Sequence, residues 1–183
     1  MKKICVCLAD GFEEIEGLTI VDLLRRAGID VCTVSVTGAY RVHGAHSIDV
    51  MADRLFEEVD FIDVEMLVLP GGMPGTTNLK EHNGLRQVLD EFHYQEKYIA
   101  AICAAPSILG ERGMLTDRQA VCYPTVEEAL KDAHLIYVPA VQDGHIITGR
   151  GAGTAIDFAL QLVEVLTGKE TADQIADSIL FNR

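Results

Sequence analysis

Apolar and polar residues alternate along the chain in blocks whose periods predict strands and helices in turn. Short continuous apolar runs are typical of buried strands, and they occur at residues 3–8, 31–36, 66–69 and 98–102. Longer segments with an apolar residue every three or four positions predict helices at 14–27, 84–96, 104–112, 153–166 and 171–180. A glycine-punctuated hairpin is expected at 38–50, with shorter strands near 120–122, 135–138 and 145–148.

The first predicted helix carries a regular apolar spacing. Ile15, Leu18, Val21 and Leu24 recur every three residues, so we expect them to face the core. Gly28 stands where the C-terminal glycine of a helix belongs.

This alternation of strands and helices predicts an α/β fold with a mostly parallel sheet and helices on both faces. The length of 183 residues suits one domain, over residues 1–183, with one sizeable core. Ligand sites of such sheets lie beyond the carboxyl ends of the strands. Three segments are expected there, at residues 10–16, 70–75 and 103–106.

Composition and charge narrow the classes of function. The hydrophobic fraction of 49% argues against extended disorder, and no apolar run approaches the roughly 18 residues that a membrane helix needs. The net charge of −13, with no basic cluster, argues against nucleic acid and anionic membranes as partners. The apolar run at residues 4–9 is too short for a signal peptide, so we expect a soluble, cytoplasmic protein.

The five cysteines are expected to be reduced thiols, because their number is odd and no secretory signal is visible. Cys5 and Cys7 lie on the same side of a predicted strand, a placement typical of small core residues. No set of cysteines and histidines has the ligand spacing of a structural zinc site. We therefore expect neither a metal nor a cofactor.

Cys103 stands at the end of an apolar strand and is followed at once by small residues, in the run A-I-C-A-A-P. A nucleophile elbow needs this arrangement, because its tight strand-to-helix turn leaves little room beside the backbone. The helix that follows is expected to lower the pKa of the Cys103 thiol and make it reactive. The alternative is a buried structural cysteine, the usual state of a free thiol.

Two further segments supply groups that could act with this thiol. One backbone amide of the run P-G-G-M-P-G, at residues 70–75, and the amide of Ala104 are candidate oxyanion donors. The alternative for this run is a plain connecting loop. Glu16, inside the first predicted helix, would have a raised pKa if it pointed at Cys103, and could then act as general acid/base. The other carboxylates at this helix start are explained by capping.

The run G-R-G-A-G-T at residues 149–154 resembles a phosphate-binding loop. A dinucleotide-binding fingerprint would place a glycine where Thr154 stands. We interpret the run as the entry loop of the last long helix, close to the site.

Taken together, these segments resemble the DJ-1/ThiJ/PfpI superfamily. The resemblance runs from residue 3 to about residue 170 and rests on D-G-F-E-E-I-E, D-L-L-R-R-A-G-I-D-V, V-L-P-G-G, A-A-I-C-A-A-P, G-R-G-A-G-T-A-I-D-F-A-L and G-K-E. The sequence runs A-I-C-A-A-P and A-I-D-F-A-L are most similar to the YajL-like and DJ-1 branch. PfpI proteases carry a histidine directly after the cysteine, where this chain has Ala104.

The resemblance implies a flavodoxin-like (Rossmann-like) three-layer sandwich and a homodimer. It implies that Cys103 is a nucleophile and oxidation-sensitive thiol and that Glu16 hydrogen-bonds its sulfur. It also implies that the amides of Gly72 and Ala104 stabilise an oxyanion. Other pocket positions that correspond to the family site are Gly71, Tyr123 and Gly151.

Tyr123 marks a departure from the DJ-1 branch. In that branch a pocket histidine precedes a proline, whereas here the segment is C-Y-P and the position holds Tyr123. A tyrosine is a poor general base near neutral pH, so a mechanism that needs the histidine is weakened. A mechanism in which Glu16 alone transfers the proton does not need that histidine and stays open.

The resemblance leaves two functions open. The first is a cofactor-free glyoxalase or deglycase that acts through Cys103 on methylglyoxal, glyoxal or their protein adducts, in stress protection. The second is a non-enzymatic redox sensor or chaperone that uses oxidation of Cys103. Tyr123 also keeps open a degenerate member without activity.

Overall fold

A seven-stranded sheet forms the centre of the structure. The computed structural model describes residues 3–182. In chain order the strands are β1 (Lys3–Leu8), β2 (Asp30–Ser35), β3 (Arg41–His43), β4 (Asp49–Met51), β5 (Arg54–Leu55), β6 (Val64–Leu69), β7 (Tyr98–Ile102), β8 (Gln119–Ala120), β9 (His134–Leu135), β10 (Ala140–Asp143) and β11 (Ile146–Gly149).

The strand order of the large sheet is β10-β11-β7-β6-β1-β2-β5, and only the β10–β11 pair is antiparallel. Its central part, β2-β1-β6-β7-β11, follows the flavodoxin-like order of parallel strands. The remaining strands form the separate pairs β3–β4 and β8–β9. The predicted α/β, flavodoxin-like sandwich is confirmed.

Helices cover both faces of this sheet. They are α1 (Glu14–Arg26), α2 (Gly75–Glu81), α3 (Asn83–Tyr94), α4 (Pro106–Gly110), α5 (Ala155–Thr167) and α6 (Lys169–Ser178), with short 3₁₀ turns at 56–58, 124–130 and 152–154. Within residues 3–182, every helix is too short or too polar to cross a bilayer.

Two apolar cores lie on opposite faces of the sheet. On one face, α1 and α5 bury Ile20, Leu24 and Phe158 against the strands, and α6 adds Ala172. On the other face, the side chains of α2, α3 and α4 pack on the strands, and they include Leu79, Leu85, Phe92 and Ile108. Cys5 and Cys7 belong to this second core and are fully buried, as predicted.

The predicted apolar stripe of α1 is wrong at its start. Ile15 and Leu18 are 57% and 41% exposed, while Ile20, Val21 and Leu24 are buried. A helix advances 100° per residue, so residues spaced by three drift by about 60° at each step. Ile15 and Leu24 therefore face nearly opposite directions, and only the later members of the stripe reach the sheet.

Several predicted boundaries are also wrong. The helix predicted at 104–112 is confined to α4, because residues 103–105 remain in a turn and Pro106 starts the helix. Helix α2 is not predicted by the sequence pattern, because its first residues are glycine, threonines and asparagine, which have low helix propensity. Strands β5 and β10 are not predicted either, because they are short and lack an alternating apolar pattern.

Candidate active site

The loops that follow β1, β6 and β7 meet at the carboxyl edge of the sheet. The Glu13 amide donates to the Gly71 carbonyl at 2.9 Å, which joins the first two loops. A Cβ placed on Gly71 would lie 2.7 Å from the Cys103 Cβ, so the loop after β7 contacts the loop after β6. The predicted meeting of these three segments is confirmed.

Cys103 has a backbone conformation that few residues other than glycine adopt. Its φ is +64°, in the left-handed region, at a cost of roughly 1–3 kcal/mol. Two hydrogen bonds hold it there: its amide donates to the Gly149 carbonyl at 3.0 Å, and its carbonyl accepts from the Tyr123 amide at 2.8 Å. The side chain is half-buried at the top of β7, which is the geometry of a nucleophile elbow.

Gly71 allows the carboxyl and thiol side chains to come together. Its missing Cβ would lie 2.8 Å from Glu16 Oε2 and 2.9 Å from the Ile102 carbonyl, in addition to the Cys103 contact. Real Cβ atoms do not approach other heavy atoms so closely, so any side chain here would displace the pair.

We expect Gly71→Ala to lower the free energy of unfolding by about 1–3 kcal/mol through overpacking, and to slow alkylation of Cys103 in the folded protein. The matched control is Gly153→Ala, because no atom lies within 4 Å of a Cβ there. Urea denaturation and a timed iodoacetamide reaction measure both effects. Equal stabilities and alkylation rates for the two variants would contradict the crowding at Gly71.

Glu16 is fully buried at the start of α1. Its Oε2 accepts a hydrogen bond from the Gly71 amide at 2.8 Å, while Oε1 accepts none from the described residues. The side chain that it faces is the Cys103 thiol. Burial raises the pKa of Glu16 to about 7, against the smaller lowering effects of the Cys103 thiol and the Gly71 amide.

The expectation that the helix end lowers the pKa of Cys103 is wrong. Burial and the adjacent Glu16 carboxylate raise the pKa of the thiol to about 12, and the amides of Ala104 and Gly72 oppose this only in part. The physical reason is that burial and a neighbouring negative charge both disfavour the thiolate and together outweigh the two amides.

The two groups therefore titrate as one pair. The first proton leaves near neutral pH, and the second leaves only in strongly alkaline solution, because two adjacent negative charges repel each other. Just above neutral pH the pair therefore carries a single negative charge, held between a partly exposed sulfur that contacts two amides and a buried carboxyl that accepts from one.

This pair should make stability depend on pH. The unfolded carboxyl ionises near 4.5 and the folded one at about 7, so the folded state binds the extra proton between these values. Its stability then falls by about 3 kcal/mol as pH rises through that window. We expect Glu16→Gln to remove this loss. The free energy of unfolding of the variant minus that of the wild type should therefore be more positive at pH 7.5 than at pH 5. Urea denaturation at both pH values measures the difference, and parallel pH dependences would contradict it.

Tyr123 and Gly151 lie on the open side of the sulfur. A Cβ on Gly151 would lie 3.9 Å from Cys103 Sγ and 3.4 Å from Tyr123 Cδ2. The Tyr123 side chain is 46% exposed, so its ring borders the approach to the thiol. Residues 149–154 form the entry to α5, as the sequence predicts.

A buried carboxylate that the sequence pattern does not predict lies next to this site. Glu14, which we had assigned to helix capping, is 5% exposed and pairs with His46. The His46 amide and Nδ1 each lie 2.7 Å from a Glu14 oxygen. Burial raises the pKa of Glu14 and the His46 hydrogen bonds lower it, with a net decrease. No sequence signal reveals this pair, since 32 positions separate its members.

Glu13, Glu14 and His46 form the one group of three possible metal ligands found among residues 3–182. Their ligand atoms lie within 4.8 Å of one another. The ion pair between His46 and Glu14 accounts for this proximity without a metal.

Comparison with known proteins identifies relatives over the whole chain. The DJ-1/PfpI family description matches residues 2–165. An Arabidopsis thaliana relative, Protein DJ-1 homolog B, is 35% identical over 98% of this chain and 42% of its own length. A second Arabidopsis relative, Protein DJ-1 homolog A, is matched over 47% of its length, so the chain spans about half of each.

Two further relatives are matched over nearly their full length. A Schizosaccharomyces pombe protein named Glutathione-independent glyoxalase DJ-1 is 28% identical, and the match covers 98% of each chain. The structure of oxidized Toxoplasma gondii DJ-1 is 35% identical, with a TM-score of 0.94 and full coverage of both chains.

Proposed function

The chain belongs to the DJ-1/PfpI family, on its DJ-1 branch, and from this premise we propose that it is a cofactor-free, cysteine-dependent glyoxalase. Its substrates would be small α-oxoaldehydes such as methylglyoxal and glyoxal, free or as adducts on proteins. The observation that carries the proposal is the buried Glu16 carboxyl, which faces the Cys103 sulfur with a pKa near neutral.

In the first step the Cys103 sulfur adds to the aldehyde carbon. A C–S bond forms, and the carbonyl electron pair moves onto oxygen. The amides of Gly72 and Ala104, which already contact the sulfur, are placed to stabilise that oxygen. Glu16 then donates its proton to the oxygen, giving a neutral hemithioacetal and a carboxylate.

In the second step Glu16 moves a proton between two carbons. Its carboxylate takes the proton from the former aldehyde carbon, giving an enediolate, and returns it to the neighbouring carbon. The hydroxyl proton on the first carbon moves to the oxygen of the neighbouring carbon, so that the first carbon becomes the carbonyl. The product is a thioester of a 2-hydroxy acid on Cys103. A base with a pKa near neutral suits both directions of this transfer, and Tyr123 is not needed for it.

In the last step water adds to the thioester and Glu16 takes a proton from that water. The C–S bond breaks, its electron pair stays on sulfur, and the starting thiolate and carboxyl are restored. The sum is one α-oxoaldehyde plus one water giving one 2-hydroxy acid, which is lactate from methylglyoxal and glycolate from glyoxal. One carbon is oxidised and its neighbour is reduced, so the reaction needs no external electron acceptor. The name of the S. pombe relative supports this substrate class, at 28% identity.

The experiment is a turnover assay without glutathione. The purified protein is incubated with methylglyoxal, and lactate is followed by NMR against the aldehyde consumed. The proposal predicts one lactate per methylglyoxal over many turnovers. Consumption that stops at one equivalent per protein would indicate adduct formation only and would reject the enzyme, as would no consumption.

The alternative function is redox sensing or a redox chaperone, by oxidation of Cys103 to a sulfenic and then a sulfinic acid. It is favoured by the partial exposure of the sulfur and by the oxidized state named for the T. gondii relative. Mass spectrometry after mild peroxide would then find two oxygens on Cys103 in a protein that makes no lactate.

We further propose that the chain forms a homodimer in the cytoplasm, as the family resemblance implies. Exposed apolar residues on two neighbouring elements support an interface there: Ile15 and Leu18 on α1, and Ile48 and Met51 on the β3–β4 hairpin. The His46–Glu14 pair ties that hairpin to the helix.

We expect Leu18→Asp to convert the dimer into a monomer in analytical ultracentrifugation, because it would place a charge in an apolar interface. Ile62→Asp serves as the matched control, since Ile62 is 78% exposed and lies outside α1 and the hairpin. A monomeric wild type, or a dimer that persists in Leu18→Asp, would reject this interface.

A further inference from the structure

A second pair of thiols lies on the sheet, away from the candidate active site. Cys5 of β1 and Cys32 of β2 are direct partners in the parallel register of these strands. Their side chains contribute to the core covered by α2, α3 and α4, whereas Cys103 packs against the core on the other face. The glyoxalase chemistry proposed above uses neither of them.

The register places the two side chains beside each other. Neighbouring strands lie about 4.8 Å apart, and a disulfide spans Cα separations of about 4.4–6.8 Å. In-register residues point to the same face, so the two Cβ atoms project side by side. Each thiol is the main influence on the pKa of the other, and Cys32 Sγ lies 3.8 Å from its hydrogen-bond acceptor, the Thr33 carbonyl.

The two thiols differ in access to solvent. Cys5 is fully buried, whereas Cys32 is partly exposed. Among the residues that the structure describes, no strand pairs with the outer edge of β2 at Cys32, because β5 pairs only with Val34 and Ser35. An oxidant can therefore reach Cys32 first, with Cys5 directly behind it.

The surrounding charges act on Cys32 in both directions. The hydrogen bond from Cys5 is the largest effect and lowers the pKa of Cys32. Lys3 and Arg54 lower it further, while burial and Asp53 raise it, and the net direction is downward. The same hydrogen bond and burial raise the pKa of Cys5. Of the two sulfurs, the more accessible one therefore loses its proton more readily.

We propose that Cys32 and Cys5 form a second, peroxide-responsive redox site that closes to a cross-strand disulfide. The Cys32 thiolate attacks a peroxide oxygen, the O–O bond breaks, and a sulfenic acid forms. The Cys5 thiol loses its proton and attacks the Cys32 sulfur, and the S–O bond breaks to release water. With hydrogen peroxide the sum is two thiols plus one peroxide giving one disulfide and two waters.

The disulfide should be easily reduced. Side-by-side Cβ atoms on adjacent strands are slightly farther apart than the roughly 3.8 Å preferred by disulfides, so closure strains the local backbone. Strained disulfides have more oxidising potentials and are the regulatory ones. The site would respond to peroxide and return to the dithiol with a cellular thiol reductant.

The test is mass spectrometry of the folded protein after one to five equivalents of hydrogen peroxide. The protein is then unfolded in the presence of N-ethylmaleimide, which blocks each free thiol as it becomes exposed. Trypsin yields residues 4–25, with Cys5 and Cys7, and residues 27–41, with Cys32. The proposal predicts a cross-linked pair of these peptides, lighter by two hydrogens than their sum, that dithiothreitol separates.

Variants identify the partner. Cys5→Ser should abolish the cross-link and leave Cys32 as a sulfenic or sulfinic acid. Cys7→Ser, on the same strand and face, and Cys103→Ser, on the other face, should retain it. The wild-type result decides the proposal even if a variant folds poorly. The proposal would be overturned if no cross-link forms and Cys32 either stays reduced or gains oxygen. It would also be overturned if the cross-link joins Cys32 to Cys7.

Discussion

Cys103→Ser is expected to abolish the turnover of methylglyoxal, with kcat/KM falling on the order of 10³-fold or more. The hydroxyl that replaces the thiol is a far weaker nucleophile and is not ionised near neutral pH. It should therefore not add to the aldehyde carbon, and the first step of the reaction should fail. The substitution is nearly isosteric at a half-buried position, so the fold should persist.

The matched control for this loss is Cys32→Ser. Cys32 is also partly exposed, but it lies on the opposite face of the sheet from the candidate site. Its kcat/KM should stay within about twofold of the wild type. A Cys103→Ser protein that retains a tenth or more of the activity would show that another group is the nucleophile.

Glu16→Gln is expected to lower kcat by about 10²–10⁴-fold, the usual effect of removing a positioned general acid/base. Glutamine fills the same buried space and can retain the contact with the Gly71 amide only by presenting its carbonyl. It cannot move a proton between the two substrate carbons. The sulfur should still add to the aldehyde, so the hemithioacetal should accumulate.

Two measurements separate this effect from simple unfolding. Steady-state lactate formation reports kcat, and a mass increase equal to one methylglyoxal reports the trapped adduct. Glu14→Gln is the matched control, because Glu14 is a buried carboxylate on the same helix that pairs with His46 instead of the thiol. A wild-type kcat in Glu16→Gln would show that Glu16 is not the general acid/base of the reaction.

The architecture is predictable from local patterns of apolar and small residues in the sequence. Continuous apolar runs coincide with β1 and β7, and the small residues around Cys103 match a turn that the structure places at φ +64°. Such features are local, because a few neighbouring residues determine them. The nucleophile position is predictable for the same reason.

Features that depend on long-range packing were not predictable. The exposure of Ile15 depends on how α1 rotates against α5, and the burial of Glu14 depends on a hairpin residue 32 positions away. The ionisation of Cys103 depends on its burial and on the neighbouring Glu16, neither of which the spacing of residues reveals. The Cys5–Cys32 contact likewise needs the strand register.

The most direct test of the account is the pH dependence of Cys103 alkylation in the folded wild-type protein. If thiol and carboxyl carry one proton between them at neutral pH, the rate rises with a midpoint near the first ionisation of the pair, at about 7. A midpoint at or above that of an ordinary thiol would mean that the charge stays on Glu16, and the nucleophile proposed here would not form.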